Sequence, residues 1–180
     1  FAIPMAIEGM TVYAFEGFPD NFERCKKNTE PYGIENHLCA VSDTNYTVES
    51  KFNNCMDNEY EVRTINYVRL DDYMKQQGLP NPKLVKMDIE GMETIALHGM
   101  RNLLEFVRPI WAIGYHYKFY STVEGYPGWV DIEDGGFDFK EFKRLGYQLF
   151  DERLRPMPYE LLDMRGGEFF FVPKEMIHYT

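Results

Sequence analysis

Acidic side chains follow two apolar runs of the sequence, at the points where those runs end. Glu16 comes directly after the run 11–15 and before Gly17, and Asp88 closes the run 83–87. A carboxylate directly after a strand can accept hydrogen bonds from both hydroxyls of a ribose. The alternative for Glu16 is an acid that caps the following helix.

Charged residues lie both within this second run and beyond it. Lys86, Asp88 and Glu90 interrupt what should be a buried strand and its exit. Burying charge is costly unless each charge is paired. In a structural interpretation, Lys86 neutralises Asp88, while Glu90 and Glu93 occupy a first helical turn, where acids are favoured. In a functional interpretation, Asp88 is a general base or orienting acceptor, and Glu90 or Glu93 positions a hydroxyl. Both interpretations stay open.

Other polar residues also follow predicted strands. Asp43 can accept a hydrogen bond from an adenine amine, but an Asp between Ser42 and Thr44 also suits an ordinary turn. His116 follows the run 110–115, and an imidazole titrates near neutrality, which suits proton transfer. The alternative for His116 is a histidine hydrogen-bonded within the long loop that follows.

The predicted elements bring these residues to one edge of a sheet. Alternating strands and helices, then a closing pair of strands, predict an α/β fold with a mostly parallel sheet, an antiparallel C-terminal strand and helices on both faces. The predicted strands are 11–15, 34–41, 60–67, 83–88, 110–116, 147–150 and 168–172, and the predicted helices are 21–28, 69–77, 92–103 and 138–145. In such folds ligands bind beyond the carboxyl ends of the strands.

Composition excludes several classes of protein. The 180 residues are 44% hydrophobic and 27% charged, which predicts one domain, 1–180. A formal charge of −10 argues against a nucleic-acid partner, and no apolar run approaches the roughly 20 residues of a membrane span. Cys25, Cys39 and Cys55 lack zinc-site spacing and are odd in number, so we expect no metal site and a reducing, cytoplasmic compartment.

Several segments together resemble the FkbM family of S-adenosylmethionine-dependent methyltransferases. They are VYAFE at 12–16, PDNF at 19–22, KN at 27–28, LDDY at 70–73, LVKMDIEGME at 84–93, HG at 98–99 and RP at 108–109. The resemblance extends to FFFVPK at 169–174, and its most specific part is the KxDxEGxE segment.

This resemblance implies a Rossmann-like, three-layer α/β/α sheet and methyl transfer from S-adenosylmethionine to a hydroxyl of a small molecule or carbohydrate. By analogy Glu16 binds the ribose, Ser42 and Asp43 lie near the adenine, and Asp88 lies by the methyl donor. Together with the residues themselves, it predicts cofactor binding by Glu16, Gly17, Ser42, Asp43 and Asp88, and catalysis by Asp88, His116 and Glu90.

Two departures from the family pattern qualify this expectation. The chain lacks the first strand and Gly-rich turn that cradle the methionine part of the cofactor, so we expect an N-terminally incomplete domain that binds S-adenosylmethionine poorly by itself. Gly114 stands where the family often carries an acid. The alternatives are a non-catalytic nucleotide-binding or interaction domain of the same fold, and a carboxylate-metal hydrolase using Asp88, Glu90 and Glu93.

Overall fold

The computed structural model describes residues 1–53, 60–89, 91–115, 139–164 and 167–177. Within them the chain forms a mixed α/β fold with nine strands in three sheets. Among these residues no helix has the length and apolar character that crossing a bilayer requires.

The described residues form nine strands and five α-helices. The strands are β1 (Tyr13–Glu16), β2 (Glu35–Leu38), β3 (Ala40–Ser42), β4 (Tyr46–Asn53), β5 (Tyr60–Arg69), β6 (Leu84–Met87), β7 (Ile110–Tyr115), β8 (Tyr147–Phe150) and β9 (Gly167–Pro173). The α-helices are α1 (Ala2–Ile7), α2 (Pro19–Thr29), α3 (Leu70–Gln77), α4 (Glu93–His98) and α5 (Lys140–Arg144). A π-helix spans Leu103–Val107, and short 3-10 helices span Glu30–Tyr32, Tyr159–Met164 and Lys174–Met176.

The three sheets differ in size and strand direction. β1 pairs with β2 in parallel. The second sheet has the order β3-β5-β4, with β3 parallel and β4 antiparallel to β5. The third has the order β6-β7-β9-β8, in which β6 and β7 are parallel and β9 runs antiparallel to both of its neighbours.

The prediction of a mostly parallel sheet needs correction, whereas the antiparallel C-terminal strand is confirmed. Of the strand pairs within the described residues, three are parallel and three antiparallel. One antiparallel pair arises from β4, a segment to which the sequence assigned no strand. β4 and β5 pair over eight positions, from Tyr46 opposite Tyr67 to Asn53 opposite Tyr60.

The single strand predicted at 34–41 is two strands. Cys39 separates them, and its N–H donates to the carbonyl of His37 at 3.1 Å, which closes a tight turn. β2 therefore pairs with β1, while β3 passes to the second sheet and pairs with β5.

The helix predicted at 92–103 is interrupted by a contact with α3. The Asp71 carboxylate accepts the N–H groups of Asn102 (2.8 Å) and Leu103 (3.2 Å), and the Asp71 N–H donates to the Gly99 carbonyl at 3.1 Å. The N–H groups of Asn102 and Leu103 and the carbonyl of Gly99 are therefore not available for the hydrogen bonds that would continue α4. Ala96, Leu97, Met100 and Leu103 are nevertheless all buried, so this segment packs against the core.

The main core surrounds the four-stranded sheet. Trp111, Ile113, Phe142, Leu149 and Phe171 have no exposed surface. The Phe142 and Phe171 rings stack at 4.1 Å between centroids, which joins α5 to β9. This core fixes β6, whose carboxyl end carries Asp88.

Candidate functional site

Glu16 ends β1, and its carboxylate holds the turn into α2. Its Oε1 accepts the N–H of Phe18, the N-cap residue of α2, at 2.9 Å. This contact supports the structural alternative, in which Glu16 caps the start of the next helix. A carboxylate oxygen has more than one acceptor position, so this bond is compatible with accepting ligand hydroxyls as well.

A partly buried polar and aromatic cluster supports the end of β1. The Phe15 ring stacks on His37, with 4.9 Å between centroids, and His37 Nδ1 lies 3.1 Å from the Tyr73 hydroxyl. Glu35 Oε1 lies 3.3 Å from His37 Nε2. Burial raises the pKa of the neighbouring Cys39 thiol to about 11, although a hydrogen bond with Tyr73 opposes the shift. A thiol that stays protonated is a poor nucleophile, so we assign no reaction to Cys39. The cluster instead supports β1 through the stacking of Phe15 on His37.

The backbone at Gly17 packs closely against β3. A Cβ built there would lie 2.6 Å from the Cβ and 3.2 Å from the Cα of Ala40, the first residue of β3. The turn after β1 therefore packs directly against the second sheet. This contact alone accounts for a glycine, and the predicted cofactor contact of Gly17 stays a prediction.

Ser42 and Asp43 form a turn at the end of β3. Ser42 is 1% exposed, and its hydroxyl donates to Asp43 Oδ1 at 3.2 Å. Thr44 donates to the same oxygen at 3.3 Å, and the Asp43 carbonyl accepts from Arg69 Nη1 at 2.7 Å. These contacts correspond to the ordinary turn chemistry considered above. Asp43 is only half-buried, so of the two residues it presents more surface to a ligand.

Asp88 lies directly beyond β6 and is exposed at its carboxyl end. Its side chain is 50% exposed, and its Oδ2 lies 3.6 Å from Nζ of Lys86. Lys86 also lies 2.7 Å from Oε1 of Glu168 on β9. The predicted pairing of Lys86 with Asp88 is therefore present. It does not exclude the functional interpretation, because half of the Asp88 side chain stays accessible.

The loop after Asp88 is held by Glu93. This residue is 1% exposed and belongs to the first turn of α4, and its Oε1 accepts the N–H of Ile89 at 3.0 Å. The bond fixes the backbone immediately after Asp88. Glu93 is thus suited to positioning Asp88 through the backbone, since its buried carboxylate is not presented to solvent.

Two of the predicted catalytic residues, Glu90 and His116, lie outside the described residues. Within the described part of the chain, no group of three or more His, Cys, Asp or Glu side chains is arranged to hold a metal ion. The described part of the candidate site has its two main carboxylates, Glu16 and Asp88, at the ends of β1 and β6, which belong to different sheets.

The sequence pattern indicated no role for Glu168. The feature that could have drawn attention to Glu168 is its charge, because it directly precedes the apolar run 169–172 of the last strand. Its partner became visible only with the strand register, which places Glu168 opposite Gly114 and brings it within reach of Lys86.

Comparisons with known proteins agree with the resemblance that the sequence indicated. A family model described as the Methyltransferase FkbM domain matches residues 3–149. The hexuronic acid methyltransferase AglP of Haloferax volcanii is 29% identical over 105 residues, which cover 53% of this chain and 44% of that protein.

A solved structure gives the same result for the fold. The crystal structure of a methyltransferase FkbM from Methylobacillus flagellatus KT matches with a TM-score of 0.50 at 19% identity. The match covers 94% of this chain and 41% of the other. The chain thus spans less than half the length of each of these two proteins.

Proposed function

The chain belongs to the FkbM family of methyltransferases, and from this membership we propose that the protein methylates a hydroxyl group of a carbohydrate, using S-adenosylmethionine. The observation that carries the proposal is the family match over residues 3–149, which includes both strand ends with their carboxylates. The name of the Haloferax relative supports a sugar acid as the acceptor. Family membership favours this function over the metal hydrolase and the non-catalytic domain.

We propose the three-layer, Rossmann-like arrangement for the same reason. The order β6-β7-β9-β8, with its antiparallel β9, is the part of the described chain that supports it. In this arrangement β1 and β6 present Glu16 and Asp88 to one cleft, where ligands of open α/β sheets bind.

The chemistry of the two carboxylates suits an adenosyl sulfonium donor. Glu16 would hold the ribose hydroxyls, which are hydrogen-bond donors, and Asp88 would lie near the positively charged part of the molecule. When bound, S-adenosylmethionine supplies an already activated methyl group. Asp43 would contribute to the adenine side, together with the backbone around Ser42 and Gly17.

The residues of this chain then have two tasks in the reaction. The first is alignment, because an activated donor mainly requires that the acceptor oxygen be held in line with the methyl group. The second is removal of the acceptor's proton, which we assign to the Asp88 carboxylate, with His116 as the second candidate and Glu90 as a positioning acid. Asp88 is half exposed at its strand end, which leaves it accessible to a hydroxyl.

Methyl transfer can be tested with the full-length protein that contains this chain. The experiment incubates it with methyl-labelled S-adenosylmethionine and a panel of hexuronic acids, neutral hexoses and polyols. We expect label in a hexuronic acid, in a form that resists mild alkali because it is an ether. A hexuronic acid also offers a carboxylate, so alkali-labile label would reveal a methyl ester and contradict the proposed hydroxyl acceptor. Absence of label from the whole panel would contradict the proposed carbohydrate substrate.

A further inference from the structure

Lys86 lies between two carboxylates that belong to different parts of the sheet. Its ammonium is 2.7 Å from Glu168 Oε1 and 3.6 Å from Asp88 Oδ2. The Lys86 side chain is 16% exposed, and a cation this far removed from water requires anionic partners. Lys86 therefore connects Glu168 to Asp88.

The strand register explains how Lys86 reaches across the sheet. Lys86 is level with Ala112 on β7, and Gly114 is level with Glu168 on β9. β6 and β9 are both neighbours of β7, so they lie about 10 Å apart. The lysine and glutamate side chains can meet over β7 because the two β7 residues between them, Ala112 and Gly114, are small.

Gly114 also leaves the space that Asp88 occupies. A Cβ built at Gly114 would lie 2.9 Å from both Cγ and Oδ1 of Asp88, closer than a side chain tolerates. Extending the pairing of β6 with β7 by one residue places Asp88 beside Gly114. Lys86 thus holds the carboxylate by charge, and Gly114 permits its position.

Glu168 depends on Lys86 in turn. Its Oε1 is buried from solvent and makes no aligned hydrogen bond to any described residue, so the ion pair at 2.7 Å compensates its burial. The ammonium is therefore anchored from the β9 side, and its second contact is with Asp88.

We propose that Glu168 and Lys86 are positioning residues, in which Glu168 anchors the Lys86 ammonium and that ammonium fixes the Asp88 carboxylate beyond the end of β6. The inference rests on the proposed function, because there Asp88 receives the proton of the acceptor hydroxyl. It adds two residues that touch neither donor nor acceptor.

Turnover of the full-length protein tests the role of the Lys86 charge. K86M keeps most of the side-chain stem and removes the charge, so kcat should fall about 10- to 100-fold with KM changed less than about threefold. K86R keeps the charge and should recover most of that loss. A K86M variant that fails to fold, as circular dichroism would show, leaves K86R and E168Q to decide the question.

A double substitution tests the order of action. E168Q alone should lower kcat about 3- to 10-fold, because Lys86 loses its anchor. In a D88N background E168Q should cause no further loss, since Glu168 acts through Asp88. E160Q is the matched control, because Glu160 forms a 3.0 Å ion pair with Lys143 that is exposed and belongs to other elements. E160Q should leave kcat unchanged.

A spectroscopic readout does not depend on turnover. The carboxyl ¹³C resonance of Asp88, identified by its loss in D88N, should shift in E168Q and remain in place in E160Q. If the unsubstituted protein methylates nothing on the panel, the proposed function fails, while a resonance that shifts still supports the positioning role.

Two outcomes would overturn the inference even if methyl transfer is observed. One is an E168Q effect on kcat that is equally large with and without D88N. The other is an Asp88 resonance that is the same in E168Q and E160Q.

Discussion

At the scale of single residues, Asp88 has contacts that both orient it and leave it accessible. Lys86 approaches one carboxylate oxygen at 3.6 Å, and Glu93 holds the N–H of the next residue, Ile89. The Asp88 side chain is 50% exposed, so a substrate hydroxyl can reach it. Asp88 is therefore the residue at which the role of proton acceptor is best tested.

D88N removes the proton acceptor and retains the size of the side chain. In the full-length protein we expect kcat to fall about 10²-fold or more, because general-base assistance of this magnitude is lost. The melting temperature should change little, since the carboxylate is half exposed. E160Q is again the control, because Glu160 forms an exposed ion pair with Lys143 on other elements. Unchanged turnover in D88N would show that Asp88 has a structural role.

Asp151 is a second informative carboxylate, and its role concerns stability. Its oxygens accept the side-chain and backbone N–H groups of Arg155 and the backbone N–H of Arg153. These contacts lower the pKa of Asp151 from 3.8 to about 2, chiefly through the Arg155 side chain. Since the folded-state pKa is depressed, the stabilisation is present above pH 4 and is lost as the pH falls toward 2.

We therefore expect the melting temperature to decline between pH 4 and pH 2, and D151N to reduce that decline. At pH 7, D151N should have the lower melting temperature, because the charge-assisted bonds to Arg155 are weakened. Thermal denaturation at a series of pH values makes the comparison. Parallel curves for the two proteins would contradict this role of Asp151.

At the scale of elements, Asp71 connects α3 to the segment after α4. Its two carboxylate oxygens accept the N–H groups of Asn102 and Leu103, at the start of the π-helix. Removing such a cap costs about 0.5–2 kcal/mol of stability. D71A should lower the free energy of unfolding by about this amount, as chemical denaturation would measure. D72A, which removes only an exposed ion pair, should cost less than about 1 kcal/mol. Equal losses would contradict the capping role.

The same contact shows where sequence patterns were sufficient and where they failed. The apolar spacing from Met92 to Leu103 predicted a helix where α4 begins, because amphipathic spacing is a local property of the sequence. The spacing did not predict the end of α4. The N–H groups of Asn102 and Leu103 donate to the carboxylate of Asp71, which lies on another helix. Tertiary contacts of this kind have no local signature.

The strands show a similar division. The run at 147–150 matches β8, and the acids at the ends of β1 and β6 lie where the sequence placed them. The break at Cys39 was missed because the segment 34–41 contains no Gly or Pro and was therefore interpreted as one strand, which different sheets divide between them. The Lys86–Glu168 contact was missed because it depends on the register of three strands.

At the scale of the whole molecule, the two carboxylates of the site belong to sheets with different degrees of burial. β7 has five buried residues of six, and the core surrounds it. β1 has none that are fully buried, and its support comes from Phe15 packed on His37. Local openings are easiest where few apolar contacts are buried, so β1 should open more readily than β7.

A ligand that bridges Glu16 and Asp88 should therefore stabilise two sheets at once. S-adenosylhomocysteine, the product of the donor, is a suitable probe because it binds without turnover. In the full-length protein we expect it to slow amide hydrogen exchange both at Gly17 and Phe18 and at Asp88 and Ile89, because binding to the folded state suppresses local opening. The loop 151–155 should be unaffected, which provides an internal control. Protection at only one of the two strand ends would show that the carboxylates do not serve one ligand, and the proposed donor site would then be wrong.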